Sequence, residues 1–190
     1  MDKEIASWKT ISTRVVIRNP FLSVEEQTRQ EEGSGKLGDF VIVESPDWVN
    51  VVAMTEAGEV VLIRQFRQGV EAVSLEIPGG IIEKGEDARE TALRELVEET
   101  GYEPSGDSEV RLLGKMRPNP AFLTNTCYIY LVTNVRPTGR THFDENEEIH
   151  VYQVPLTDVR RFIREGKMDH SLIVASFFFY ELYLDEATVR

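Results

Sequence analysis

Residues 86–101 read EDARETALRELVEETG, and the periodicity here differs from that of the sequence before it. Ala88, Ala92, Leu93, Leu96 and Val97 recur at the spacings that a 3.6-residue period gathers on one side of a helix. Gly101 follows in the C′ position, where glycine adopts the left-handed backbone that ends many helices. The helix carries its charge at the wrong end. Glu95 and Glu99 lie about 40° apart around the axis and Glu98 is three residues from Glu95, so the carboxylates project from neighbouring positions. Like charges at that spacing cost about 0.2–0.5 kcal/mol per pair, and acids facing the negative end of the helix dipole about 0.3–1 kcal/mol each. Lysine would serve local stability better. Two readings stay open on the helix alone. One is a solvated acidic face compensated by Arg89 and Arg94. The other is a site where a divalent cation that prefers oxygen ligands, such as Mg²⁺ or Mn²⁺, turns the repulsion into binding energy.

Upstream of the helix the pattern is strand-like. TRVVIR, FLSVEEQTRQ, a turn at Gly33-Ser34-Gly35 and DFVIVE form a small antiparallel unit within residues 1–45. Longer strands follow from residue 46 onward: VNVVAM, a turn at Ala57-Gly58, EVVLIRQF, and VSLEI running into Pro78-Gly79-Gly80. Glycines there let backbone carbonyls approach an ion closely, which adds a further kind of ligand to the cation reading. Beyond Gly101, strands resume at VRLLGKM, TCYIYLVT and IHVYQV, followed by a proline-led helix, PLTDVRRFIREG, and an apolar terminal helix. Asp144-Glu145-Asn146-Glu147-Glu148 sits in the loop before IHVYQV, and by itself reads as an ordinary wet acidic loop.

The 190 residues suit one domain with an elaboration, or two small ones, and 41% hydrophobic with 28% charged residues is ordinary for a globular protein and points to neither disorder nor a fibre. The net charge of −12 opposes nucleic-acid binding, which needs clustered Lys and Arg. It does not bar an anionic small substrate if cations and a few placed arginines reverse the local field. A single cysteine, Cys127, excludes an internal disulfide, and His142, His150 and His170 offer no zinc spacing. The start, MDKEIASWKT, lacks a secretory pattern, so a cytoplasmic location is expected. The apolar run Leu172 to Leu184 is too short to span a bilayer and contains Glu181, so no membrane association is expected.

Gly80, five residues, Glu86, seven residues, then Arg94-Glu95-Leu96-Val97-Glu98-Glu99-Thr100-Gly101-Tyr102 resembles the Nudix box at every fixed position. Tyr102 alone stands where an aliphatic residue is more common. The resemblance implies a hydrolase of nucleoside diphosphates linked to another moiety, with divalent cations bound by the box. By position it makes Glu95 and Glu99 metal ligands with the carbonyl of Gly79, and Glu98 a ligand or a neighbour just outside the ligand set. Glu86 and Arg94 would pair to hold the loop on the helix. The implied fold is α+β: a mixed β-sheet sandwiched between helices, with an N-terminal antiparallel β extension at 1–45 used in dimerisation and a hydrolase domain at 46–190.

Outside the box the chain is similar to the ADP-ribose and nucleoside diphosphate sugar pyrophosphatase branch. It shares Arg64-Gln65-Phe66-Arg67, the run Leu75 to Gly80, Pro118 and Pro120, and the late acidic loop. That resemblance implies Glu145 as general base and Glu147 as a further metal ligand, which changes the reading of the acidic loop. Arg67 would contact the diphosphate, since a guanidinium fits phosphate oxygens bidentately; a surface arginine closing a strand is the alternative. Trp48 would stack on the base or pack in the core. Glu76 would hydrogen-bond the substrate or form a structural salt bridge. The expected reaction is hydrolysis of the diphosphate of ADP-ribose or a nucleoside diphosphate sugar, with two or three Mg²⁺ or Mn²⁺ ions, by a homodimer. The alternatives are a Nudix hydrolase of dinucleotide polyphosphates, coenzyme A or oxidised nucleotides, and a sensor that binds nucleotide sugars without turnover.

Overall fold

The computed structural model describes residues 5–142 and 148–188. The chain packs as two units whose boundaries fall at Pro46/Asp47, Met116/Arg117 and Thr126/Cys127. In the first unit β1 (Trp8–Arg18), β2 (Ser23–Glu31) and β3 (Leu37–Glu44) form an antiparallel sheet in chain order. The Asn19 side chain accepts from the backbone N–H groups of Phe21 and Leu22 at 2.8 and 2.9 Å, which folds β1 back toward β2. The β2–β3 turn uses Gly33 and Gly35 at φ 96° and 73°, a conformation that suits glycine. Residues 117–126, which the sequence reading kept with the main domain, belong here. Val43 N–H donates to Phe122 O at 2.8 Å, and Val43 and Leu123 form a parallel bridge.

The second unit contains β4 (Trp48–Thr55), β5 (Glu59–Arg67), β6 (Ala72–Glu76), β7 (Gly79–Ile81), α1 (Ala88–Thr100), β8 (Tyr102–Pro104), β9 (Val110–Met116), β10 (Cys127–Pro137), β11 (His150–Pro155), α2 (Leu156–Arg164) and α3 (Ser171–Thr188). Its sheet has the order β11-β5-β4-β10-β8, with β6 on β5, β7 on β4 and β9 on β10. Only the β4–β10 pairing among these is parallel, which makes the sheet mixed.

β4 is central, and its alternation divides the core. Val49, Val51 and Ala53 pack with Ala92 and Leu96 of α1. Val52 and Met54 pack on the other face with Val159 of α2 and Ile173 and Phe177 of α3. Helices therefore cover both faces, as the α+β expectation required. Among the described residues no helix is long and apolar enough to cross a membrane.

α1 begins where the Asp87 side chain accepts from Arg89 N–H at 2.9 Å. It ends at Gly101, whose φ of 67° is left-handed and whose N–H donates to Val97 O at 2.8 Å. Thr91, Ala92, Leu96, Glu99 and Thr100 are its buried residues, so one of the box acids lies on the packed side.

Candidate active site at the glycine strand and the acidic helix

β7 hydrogen-bonds along β4 with Gly79 opposite Asn50 and Gly80 opposite Val49, so the two glycines address opposite faces of the sheet. Gly80 faces α1. A Cβ there would overlap the Glu95 carboxylate, so the missing side chain is what lets this acid lie against the backbone. Glu99, one turn further on and only 5% exposed, accepts from the Gly79 N–H at 2.8 Å. The end of α1 is thus joined to the glycine strand at two successive positions, one per glycine.

Arg94 organises the other side of this cluster. Its Nη1 donates to Glu95 Oε1 at 2.9 Å and to Glu98 Oε2 at 2.8 Å, while Nε and Nη2 donate to the two Glu86 oxygens at 3.0 and 3.2 Å. The Glu86–Arg94 pair holds the 81–86 loop to the helix as the resemblance implied. The Arg94 hydrogen bond, helped by Thr91 and the Glu83 N–H against a smaller opposing effect of burial, lowers the Glu86 carboxyl to about 2. The same contacts push Arg94 further up. Sequence reasoning offered Arg94 as compensation for the acidic face only in the reading without a cation, and missed that one guanidinium serves Glu86, Glu95 and Glu98 at once. The signals were the adjacency of Arg94 and Glu95 and the i,i+4 spacing to Glu98.

On the strands before the glycines, Arg67 closes β5 and Glu76 closes β6. Arg67 Nε and Nη2 donate to the two Glu76 oxygens at 2.8 and 2.7 Å, a bidentate pair. The carboxylate is 2% exposed and the guanidinium 43% exposed, so a buried acid holds an arginine that faces solvent. Burial pushes the Glu76 carboxyl up, but the Arg67 hydrogen bonds and charge, with Ser74 and His170, leave it below its ordinary value. The salt bridge that the sequence left as the alternative for Glu76 is thus the contact observed, and its partner is Arg67. Trp48 opens β4, half-buried, in register with Ile81 and Cys127. Glu145 and Glu147 lie outside the described residues.

The donor set suits a hard divalent cation: carboxylates from one end of a helix that lie against the backbone of a glycine strand. Among the described residues no three His, Cys, Asp or Glu side chains already converge on one point. Glu95 and Glu98 are turned to Arg94, and Glu99 to Gly79. A cation therefore fits here by sharing acids that Arg94 now holds.

A family model described as the NUDIX domain matches residues 45–177, more than half of the chain. The chain belongs to the Nudix family. Its relatives include the ADP-ribose pyrophosphatase of Bacillus subtilis (strain 168), 32% identical over 168 residues covering 88% of this chain and 85% of that one. The methanol dehydrogenase activator of Bacillus methanolicus is 30% identical over 169 residues, covering 88% and 89%. The solved structure of an ADP compounds hydrolase superposes with a TM-score of 0.85 over 98% of both chains at 21% identity, which shows the shared Nudix fold. Nudix hydrolases generally use divalent metals, in keeping with the oxygen-only donor set, and this chain is a hydrolase of that type.

Proposed function

We propose that this Nudix hydrolase cleaves the diphosphate of ADP-ribose or a related nucleoside diphosphate sugar, giving a nucleoside monophosphate and a sugar phosphate. The observation that carries the reading is the joint between α1 and the glycine strand, Glu95 against Gly80 and Glu99 on Gly79 N–H, three residues after the Arg67–Glu76 pair. Relatives named as ADP-ribose and ADP-sugar pyrophosphatases support the substrate class.

Glu95, Glu98 and Glu99, the Gly79 carbonyl and Glu147 would hold two or three Mg²⁺ or Mn²⁺ ions. Bound there, the ions neutralise the diphosphate and stabilise charge on the leaving phosphate. Glu145 takes a proton from the attacking water; the water oxygen bonds to phosphorus and the bridging P–O bond breaks. Arg67, held from below by Glu76, offers its exposed guanidinium to the diphosphate oxygens. Trp48 stacks on the base. Residues 1–45 form the dimerisation unit of a cytoplasmic homodimer, a role supported by Ile11, Val16, Ile17, Leu37 and Val41, which this sheet leaves 46–59% exposed.

Product analysis in ¹⁸O-labelled water, with Mg²⁺ and a panel of ADP-ribose, ADP-glucose, GDP-mannose, UDP-glucose, dinucleotide polyphosphates, coenzyme A and nucleoside triphosphates, tests the substrate. Preference for a triphosphate would overturn it, and tight binding of ADP-ribose without turnover would make the chain a sensor. Glu145→Gln is expected to slow turnover with metal affinity nearly kept, and Glu147→Gln to raise the metal requirement. Equal, mild effects from both would remove the acidic loop from the mechanism.

A further inference from the structure

Asn50 is a buried amide that the hydrolytic scheme leaves unused. It shares a face of β4 with Val52 and Met54, where the surrounding core is apolar and an aliphatic residue would pack without needing a polar partner. Its Nδ2 instead donates at 3.1 Å to Oγ of Ser176 on α3, which is fully buried, and the Ser176 hydroxyl donates at 2.8 Å to Leu172 O. The single serine proton is committed to Leu172, so Ser176 accepts from Asn50, and this fixes the amide with its nitrogen toward α3. Its other end faces β7. Oδ1 lies 2.9 Å from the position a Cβ of Gly79 would take, beside the Val49 carbonyl oxygen, which is closer still, and Gly79 is the cross-strand partner of Asn50. Gly79 in turn donates to Glu99 at 2.8 Å. A continuous line therefore runs from α3 through Ser176, Asn50 and Gly79 to an acid of the box.

We propose that Asn50 is a positioning residue: anchored to α3 through Ser176, its amide occupies the space beside Gly79 and sets how the glycine strand meets Glu99. This rests on the reading above in which Gly79 and Glu99 hold a divalent cation. The two glycines would then differ in purpose, Gly80 making room for a ligand and Gly79 letting the strand lie against both the Val49 carbonyl oxygen and the Asn50 amide.

The test uses the full chain and Mn²⁺ alone, with no substrate, reading affinity by electron paramagnetic resonance and stability by thermal unfolding. Asn50→Leu and Ser176→Ala should each weaken Mn²⁺ binding by about tenfold, the lower edge of what losing a partner behind a metal ligand costs. The double variant should be no weaker than the worse single one, because both act through one contact. Val159→Ala, in the same core but outside this line, should lower the melting temperature and leave Mn²⁺ affinity at the wild-type value. Unchanged Mn²⁺ affinity in both Asn50→Leu and Ser176→Ala, with a melting loss like that of Val159→Ala, would overturn the proposal. Should Asn50→Leu fail to fold, Ser176→Ala decides alone, since it removes only one hydroxyl. Glu99→Gln separates the two levels. If it binds Mn²⁺ like wild type, the cation reading of the box falls. If it loses Mn²⁺ while the Asn50 and Ser176 variants keep it, only the role of Asn50 falls.

Discussion

The Arg67–Glu76 pair couples a stability role to a binding role, and the two respond differently to substitution. Arg67→Ala leaves a carboxylate that is 2% exposed without its bidentate partner, and the expected loss is about 1–3 kcal/mol, read by urea unfolding. Arg67→Lys keeps the charge, but a single ammonium cannot bridge both Glu76 oxygens and a phosphate at once. It should retain more stability than Arg67→Ala while kcat/KM falls by on the order of tenfold, the size of one lost charge-assisted contact. Equal kcat/KM in wild type and Arg67→Lys would confine Arg67 to structure. Glu86 gives a pH signature. Its carboxyl is lowered to about 2 in the folded chain from an ordinary 4.5, so pairing with Arg94 stabilises the fold above the unfolded value and is lost as pH falls toward 2. The pair is partly wet, so Glu86→Gln should cost at most about 1 kcal/mol at neutral pH. The gap from wild type should close between pH 5 and 2; a gap that stays constant over that range would show that the pair contributes nothing through charge.

Between elements, the joint of β7 with α1 separates stability from catalysis. A Cβ on Gly79 would meet the Val49 carbonyl oxygen, a backbone atom that cannot turn aside, so Gly79→Ala should disrupt the β4–β7 pairing and lower the melting temperature by several degrees. On Gly80 the obstacle is the end of the Glu95 side chain, which can rotate away. Gly80→Ala should therefore keep its melting temperature within a degree or two and lose metal-dependent turnover by on the order of a hundredfold, as a displaced ligand would. If both variants lose stability and activity in parallel, the division of labour is wrong. The helix and its acids were legible because their spacing is local: Ala92 and Leu96 mark the buried face, Gly101 the stop, and Glu95 and Glu99 the strand-facing edge. The three-way grip of Arg94 was only half legible, since i,i+4 spacing permits the Glu98 contact without selecting it. The Asn50–Ser176 bond joins residues 126 apart in sequence, and no local pattern encodes such a pairing. Gly114 is a similar case, its missing side chain matched to the Phe179 ring across β9 and α3.

At the scale of the whole molecule, alternation and turn glycines made the longer strands of both sheets readable, whereas the three-residue β7 and β8, too short to show alternation, and the allegiance of residues 117–126 were not. Their attachment to β3 depends on the Val43–Phe122 and Val43–Leu123 pairings, which bridge about eighty residues of intervening chain. The N-terminal sheet also presents apolar side chains without a described cover: Ile17 and Val41 are each 55% exposed on separate strands. Exposed apolar surface of this kind on a small sheet is a liability unless a partner covers it. The proposed homodimer supplies that cover with a second copy of the chain. Light scattering behind size exclusion should then give about twice the chain mass of 21.7 kDa. Ile17→Asp or Val41→Asp places an unpaired charge on that face, costly to bury, and should shift the mass to that of a single chain. Circular dichroism should stay native, because both positions are exposed within one copy. A wild-type chain that runs as a monomer at micromolar concentration, or aspartate variants that keep the double mass, would remove the N-terminal sheet from dimerisation.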